Sequence, residues 1–324
     1  MTADLKPSVN AWLAAGVGLA ALSAISLCIG VGDMPPTGLW SDPQALQLLL
    51  VSRLPRTLAA LLAGAGLAIA GLVMQILARN RFVEPTTAGT GQSAAFGILI
   101  ATLLFPSASL AWKTVLASVA ALAGTSLFLA VAHRLPPTQP FLVALFGLVY
   151  GGVVGAAVTF VAWQADLLQF LEIWTTGEFS GVLRGRYEIL WVTAAAVALA
   201  WWIADRLTIA SLGRDASVGL GLNYRRVVQL GLVIVSIISA LSVVVVGMIP
   251  FVGLVVPNLV SRSLGDNLSA ALPRVAATGA ALVLSCDIVG RLIRYPYEIP
   301  VGTVLGVVGA GLFLWILFGR AQRV

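Results

Sequence analysis

One histidine, two cysteines and a charged fraction of only 10% in 324 residues leave this chain little polar chemistry. A soluble globular protein carries roughly a quarter charged residues, so the shortage excludes an ordinary water-soluble domain. His133 stands beside Arg134 in a short loop, where a solvated flank accounts for it, and neither H-E-x-x-H nor C-x-x-C occurs, so no metal site is assigned. Cys28 and Cys286 both lie inside apolar runs, where a thiol packs as a small hydrophobe, and no disulfide framework follows. There is no G-x-x-x-x-G-K-[ST] loop to cradle phosphates; the chain cannot hydrolyse ATP by itself. The formal charge of +6 does not point to nucleic acid either, because the arginines are scattered between apolar runs without forming a stripe with aromatics.

What the chain has in abundance is hydrophobic residues, 59% of the total. They recur in runs of about 16 to 23, the length an α-helix needs to cross a hydrocarbon layer about 30 Å thick. The pattern predicts an all-α, polytopic membrane protein of about ten helices, forming one transmembrane domain over residues 1–324. The expected helices cover 11–31, 55–77, 90–105, 110–132, 141–163, 189–204, 227–246, 248–263, 275–293 and 302–319. The first run follows Lys6 and resembles a leader, but many similar runs come after it, so it is read as a retained helix. From Val227 to Ser261 there is no charge at all. A single helix there would extend about 52 Å, too long for one crossing, and Gly247, Pro250 and Gly253 divide it into two helices joined by a tight turn.

Counting Lys and Arg in alternate loops gives the orientation. With the amino terminus inside, the cytoplasmic side collects twelve: Lys6, Arg79, Arg81, Arg134, Arg206, Arg214, Arg225, Arg226, Arg262, Arg274, Arg320 and Arg323. The outer side holds seven: Arg53, Arg56, Lys113, Arg184, Arg186, Arg291 and Arg294. Both termini are expected in the cytoplasm. Asp33, Asp42, Asp166, Glu172, Glu178, Glu188 and Glu298 fall outside, although acids weigh little in setting topology.

Small residues at four-residue spacing mark close helix approaches: Gly147, Gly151 and Gly155 on the fifth helix, Gly302 and Gly306 on the tenth, and Gly64, Ala68 and Gly71 on the second. Tight packing explains such spacing, and the lining of a pathway is the alternative. Asp287 is the acid placed well inside an apolar run, four residues before Arg291, so the two share a helix face. A structural ion pair near the outer end is favoured over a proton relay, and one acid among ten helices is thin support for ion coupling.

Two stretches carry more information. In Arg53-Leu54-Pro55-Arg56, two cations stand on the outer side against the positive-inside bias, at the expected start of a helix, where the macrodipole disfavours them. Docking of acidic groups from an external partner would compensate, and snorkelling to lipid headgroups is the alternative. Between the sixth and seventh helices, residues of about 205–226 form the longest cytoplasmic connection, with short apolar pieces broken by Gly213, Gly219 and Gly221. One or two small surface helices are expected there, suited to a groove in a soluble partner.

Arg53-Leu-Pro-Arg56, Gly64-Ala65, Ala70-Gly71, Gln75, Arg79-Asn80, Glu84-Pro85 and Gly89 together resemble the FecCD-type permeases for iron-siderophores and cobalamin. Further matches are Leu212-Gly213, Ala216 and Leu220-Gly221, then Gly247-x-Ile-Pro-Phe251-Val-Gly-Leu254, Pro257 and Arg262, and last Gly279-Ala280, Asp287, Arg291 and Glu298-x-Pro300-x-Gly302. The resemblance covers nearly the whole chain in order. It implies ten helices per subunit, a dimer with the path at its interface, two cytoplasmic ATPases that use ATP and magnesium, and a periplasmic siderophore-binding protein above. The permease itself would bind no cofactor.

Residue by residue, the resemblance makes Arg53, Arg56 and Arg291 receivers of acidic residues from the binding protein. It makes the 208–224 loop, with Ser211, Leu212, Gly213, Arg214, Ala216, Leu220 and Gly221, the element that contacts the ATPases. Cytoplasmic gate positions correspond to Asn80 and Phe82, and to Gln139 and Pro140 before the fifth helix, while the fifth and tenth helices, with Gly147, Gly151, Gly155, Gly302 and Gly306, would line the path. The sequence departs from the commonest pattern at Asn258, where many members have histidine. With Gly265-Asp266-Asn267 and Tyr295-Pro-Tyr297-Glu298-Ile-Pro300, that departure resembles the branch for catecholate-type siderophores such as petrobactin, anguibactin or enterobactin, whose permeases usually pair as heterodimers. The expected function is therefore passage of a ferric siderophore across the bacterial inner membrane by alternating access. A cobalamin or haem permease of the same family is the alternative, and a proton-coupled carrier using Asp287 is the rival from another class.

Overall fold

The computed structural model describes residues 9–30, 43–136, 139–264 and 268–321. Lys6, Asp33, Asp42, Gly265-Asp266-Asn267 and Arg323 lie outside the described residues, as do the side chains of Pro140 and Arg320. A backbone in hydrocarbon must satisfy its own N–H and C=O groups, and helices do so within one segment. Regular structure is accordingly helical throughout the described residues: α1 (Val9–Cys28), α2 (Pro43–Leu48), α3 (Leu54–Leu77), α4 (Thr90–Leu104), α5 (Leu110–Ala132), α6 (Pro140–Gln164), α7 (Leu168–Thr175), α8 (Trp191–Trp202), α9 (Ala204–Ser211), α10 (Arg214–Gly219), α11 (Tyr224–Val246), α12 (Val252–Leu264), α13 (Leu268–Leu292) and α14 (Val301–Ala321).

Among the described residues, six helical stretches are long and apolar enough to cross a membrane, and a seventh arises if Tyr187–Trp202 and Ala204–Ser211, bent by 61°, count as one. Leu13–Cys28, Thr90–Leu104 and Val252–Arg262 are apolar but shorter. Among the described residues, full spanning length therefore belongs to fewer segments than the expected ten. For α4 and α12 the reason lies in two non-helical stretches, residues 80–89 and 247–251, which fold inward, so that both helices begin inside the bundle. Such irregular backbone is tolerated at membrane depth only where protein surrounds it.

The turn expected between the seventh and eighth helices is present. Gly247 adopts φ +81°, and a Cβ there would collide with the carbonyl oxygen of Thr176. The second helix departs from expectation at its start: a π-helical turn, Leu49–Arg53, joins α2 to α3, giving one continuous rod from Pro43 to Leu77. Hydrophobicity alone did not extend it, because the polar residues at 43–53 interrupt the apolar run.

At the centre runs α3, whose Ala59, Ala60, Ala68 and Ala70 have no exposed surface. Its small residues let neighbouring backbones approach closely. A Cβ on Gly64 would stand 2.5 Å from the carbonyl oxygen of Gly279 in α13, and one on Gly71 would collide with backbone atoms of Gly253 in α12. The fourfold spacing of small residues on α3 thus marks packing. By contrast, Phe141, Leu145, Leu148, Val153, Phe160 and Trp163 of α6 are each more than half exposed.

Replacing Gly71 by alanine puts a methyl group against backbone that cannot rotate away. We expect a loss of about 1–3 kcal/mol, seen as a lower melting temperature and an aggregated elution profile in detergent. Gly152→Ala, where a Cβ meets nothing within 4 Å, should leave both unchanged.

Candidate functional site

At the end of the bundle expected to face outward, three arginines converge. Arg56 of α3 donates from Nη2 to Asp287 Oδ1 at 2.8 Å and from Nη1 to both oxygens of Glu298 at 2.8 and 2.9 Å. Arg291 reaches Asp287 Oδ2 at 2.9 Å from one helical turn further along α13. Its Nη1 also donates to the carbonyls of Ser26 and Ile29, at 3.0 and 2.9 Å, and its Nη2 to Ser26 Oγ at 2.7 Å. Arg53 donates to the carbonyls of Leu27 and Cys28, at 3.0 and 3.1 Å. Two cations therefore close the carboxyl end of α1, where the helix leaves carbonyls without intrahelical donors and the macrodipole favours positive charge.

This corrects the expectation for Arg53 and Arg56 as cations at an unfavourable helix start. The rod begins at Pro43, so neither stands at a helix amino terminus, and their compensation is internal. Arg53 and Arg291 are only 6% and 5% exposed. The expected Asp287–Arg291 pair is present, and the structure adds Arg56 and Glu298 to it. Periodicity could find the first pair because it is local; 231 residues separate Arg56 from Asp287. A cavity of about 250 Å³ opens over this cluster, lined by Arg53, Arg56, Arg291, Glu298, Ser52 and Ser180 among others.

On the opposite side, the long connection contains two small helices, α9 and α10. Gly213, at φ +104°, provides the bend between them, and Gly221, at φ +81°, the exit toward α11. Ser217 Oγ donates to the Ile209 carbonyl at 2.8 Å, which folds α10 back on α9. Leu212, Val218 and Leu220 are 64%, 56% and 64% exposed, apolar residues that flank the exposed Arg214 and Asp215 in the chain. Ser211 and Ala216 are exposed as well. Arg79, at the end of α3, packs on this element: its guanidinium lies over the Tyr224 ring at 6.0 Å and would be 3.3 Å from a Cβ on Gly213.

Asn80 and Phe82 open the inward-folded segment. Asn80 Oδ1 accepts the Phe82 N–H at 2.8 Å, and the Phe82 ring meets Phe313 of α14 edge-on at 6.2 Å. Gln139 is exposed just ahead of α6, and Pro140 is the first residue of that helix. Of the glycines marked for a path, Gly147 and Gly151 pack against residues 87–89, Gly155 against Gln92, and Gly302 against Gly177. A Cβ on Gly306 would meet nothing within 4 Å. His133, expected as a solvated flank, makes a 2.8 Å hydrogen bond between Nε2 and the Leu77 carbonyl and so ties the ends of α3 and α5. Both cysteines are free thiols, and no cluster of three or more His, Cys, Asp or Glu occurs among the described residues.

An all-helical bundle with a cavity over buried charges at one end and two small helices at the other is the architecture of a multi-pass membrane protein. Comparison with known proteins is consistent with that class. The model of the FecCD transport family matches residues 18–319, and the chain belongs to this family. It is 45% identical over 300 residues to the petrobactin import system permease protein YclN of Bacillus subtilis (strain 168), covering 92% of this chain and 95% of that one. It is 38% identical over 306 residues to the ferric-anguibactin transport system permease protein FatD of Vibrio anguillarum, covering 93% and 96%. Among solved structures, an inward-facing transporter of the metal-chelate ABC type superposes with a TM-score of 0.81 at 25% identity, covering 96% of this chain and all of that one. The chain is thus the membrane permease subunit of a bacterial ABC import system and is not itself catalytic.

The arginine–carboxylate cluster makes a direct prediction. Asp287→Asn leaves Arg56 and Arg291 buried against a neutral partner and should cost about 3–5 kcal/mol. Glu298, whose side chain is 27% exposed, is screened by water, so Glu298→Gln should cost about 0–1 kcal/mol. Thermal unfolding of the two variants in the same detergent checks the ordering.

Proposed function

We propose that this permease passes a ferric siderophore of the catecholate type, a bulky chelate delivered by a periplasmic binding protein and driven inward by ATP hydrolysis in partner subunits. The likeness to permeases named for petrobactin and anguibactin, nearly end to end, carries this reading. In it the chain is one transmembrane domain with ten passes, counting the six long spans, the bent pair and the three shorter apolar helices. Both termini are cytoplasmic, by the distribution of Lys and Arg. A second, unlike permease completes the path, with the exposed apolar faces of α6 and α14 turned toward it.

The binding protein docks over the cavity of Arg53, Arg56 and Arg291. Because Arg56 already holds both Asp287 and Glu298, an incoming carboxylate competes with Glu298, the more accessible of the two. Docking and release then rest on an exchange of acids around fixed arginines. Below, Ser211, Leu212, Gly213, Arg214, Ala216, Leu220 and Gly221 seat in the ATPases, with the exposed leucines as the anchors. Asn80 and Phe82, with Gln139 and Pro140, form the cytoplasmic gate. The bundle alternates between two states because its partners bind them unequally.

The chain, reconstituted in proteoliposomes with its partner permease, ATPase and binding protein, should accumulate radio-iron-labelled ferric petrobactin when ATP is supplied, and vanadate should stop it. Preference for cobalamin or haem under the same conditions would transfer the substrate to the family's other branches. Uptake by the permease alone, abolished by a protonophore, would replace the importer by a carrier.

A further inference from the structure

Glu84 has no role in the account so far, yet it is a carboxylate with only 2% of its surface exposed. It lies in the inward-folded segment 80–89. Its Oε1 accepts the Phe251 N–H at 3.0 Å and the Thr86 hydroxyl at 2.7 Å, and its Oε2 accepts the Leu254 N–H at 3.0 Å. These backbone groups open α12, whose first N–H groups have no partner within the helix. At 13 residues, α12 starts inside the bundle, where water does not reach those donors. A carboxylate suits this end because it only accepts hydrogen bonds and its charge complements the macrodipole.

A further bond joins the same two elements: Asn258 Nδ2 donates to the Arg81 carbonyl at 2.8 Å. Gln75 Nε2, from α3, donates to the Gly253 carbonyl at 3.1 Å and ties α12 to α3 as well. Phe251 sits at φ +68°, a conformation that non-glycine residues avoid and that surrounding structure must enforce. Its side chain packs directly on Gly309 of α14. At the other end of α12, the Arg262 guanidinium donates to the Ile316 carbonyl and lies 5.0 Å over the Trp315 ring. Thus α12 holds segment 80–89 on one side and α14 at both of its own ends.

We propose that Glu84 is a positioning residue that locks segment 80–89 and α12 into a single moving part, so that α12 sets the location of Asn80 and Phe82 throughout the transport cycle. The proposal rests on the reading of Asn80 and Phe82 as the cytoplasmic gate. It requires that the segment and α12 never separate, whereas a gate that swings on its own loop would have to break these bonds.

The test uses the complete importer in proteoliposomes, with Cys28 and Cys286 replaced by serine. Arg81 and Ser261 line one cavity of about 500 Å³; Arg81→Cys and Ser261→Cys are joined by a short, reducible thiol cross-linker. A rigid unit should keep at least about half of its ATP-driven uptake of ferric petrobactin when bridged, the residue of a change that adds no barrier to the cycle. Uptake lost on bridging and regained on reduction would overturn the proposal.

Glu84→Gln sets an amide N–H against backbone N–H donors and removes a charge-assisted acceptor. Uptake should fall by roughly tenfold, the scale of one such bond, while ATP hydrolysis by the assembled complex continues, and bridging residues 81 and 261 should restore part of the uptake. Should assembly, hydrolysis and uptake all fall together with no rescue by the bridge, Glu84 is merely structural and the proposal fails. Failure of the gate reading shows separately: Phe82→Cys would react with a thiol reagent equally with and without nucleotide, leaving the bridging result to judge the clasp.

Discussion

Inside a bilayer a broken helix exposes N–H and C=O groups with no water to receive them, and this molecule answers that constraint with side chains at three of its helix ends. The amino end of α12 is closed by Glu84, and the carboxyl end of α1 by Arg53 and Arg291. The ends of α3 and α5 are joined through His133. In each case a side chain from a distant part of the sequence supplies the missing partner. The short helices are therefore affordable only because the bundle brings those side chains to them.

Close approach along α3 makes those partnerships possible. Its glycines and alanines draw α12 and α13 almost into backbone contact, which sets Gln75 and Glu84 at the start of α12 and Arg56 at Asp287. A larger residue at Gly64 or Gly71 would separate the helices and with them the polar contacts. Apolar packing and polar closure are in this sense one design, since neither survives displacement of the other.

The two ends of the molecule are built differently. The cavity at one end presents fixed cations already balanced by acids. The long connection at the other presents exposed leucines on two small helices braced by Ser217 and hinged at Gly213. Between them α14 touches the inward-folded segment through Phe82 and Phe313, and touches α12 through Gly309 and Ile316.

The sequence by itself determined the helical membrane class, the positions of most apolar segments, the turn at 247–251 and the lack of nucleotide-binding machinery, because hydropathy and motif spacing are local properties. It also exposed the Asp287–Arg291 pair, whose members lie one helical turn apart. Only the tertiary structure decided that Arg56 shares Asp287 and Glu298, that the second helix starts at Pro43, and that α4 and α12 begin within the bundle. The Glu84 contacts were illegible for the same reason: they join residues 167 and 170 positions apart. No local periodicity encodes an encounter between an inward-folded segment and a helix end, which exists only once α3 has packed against α12.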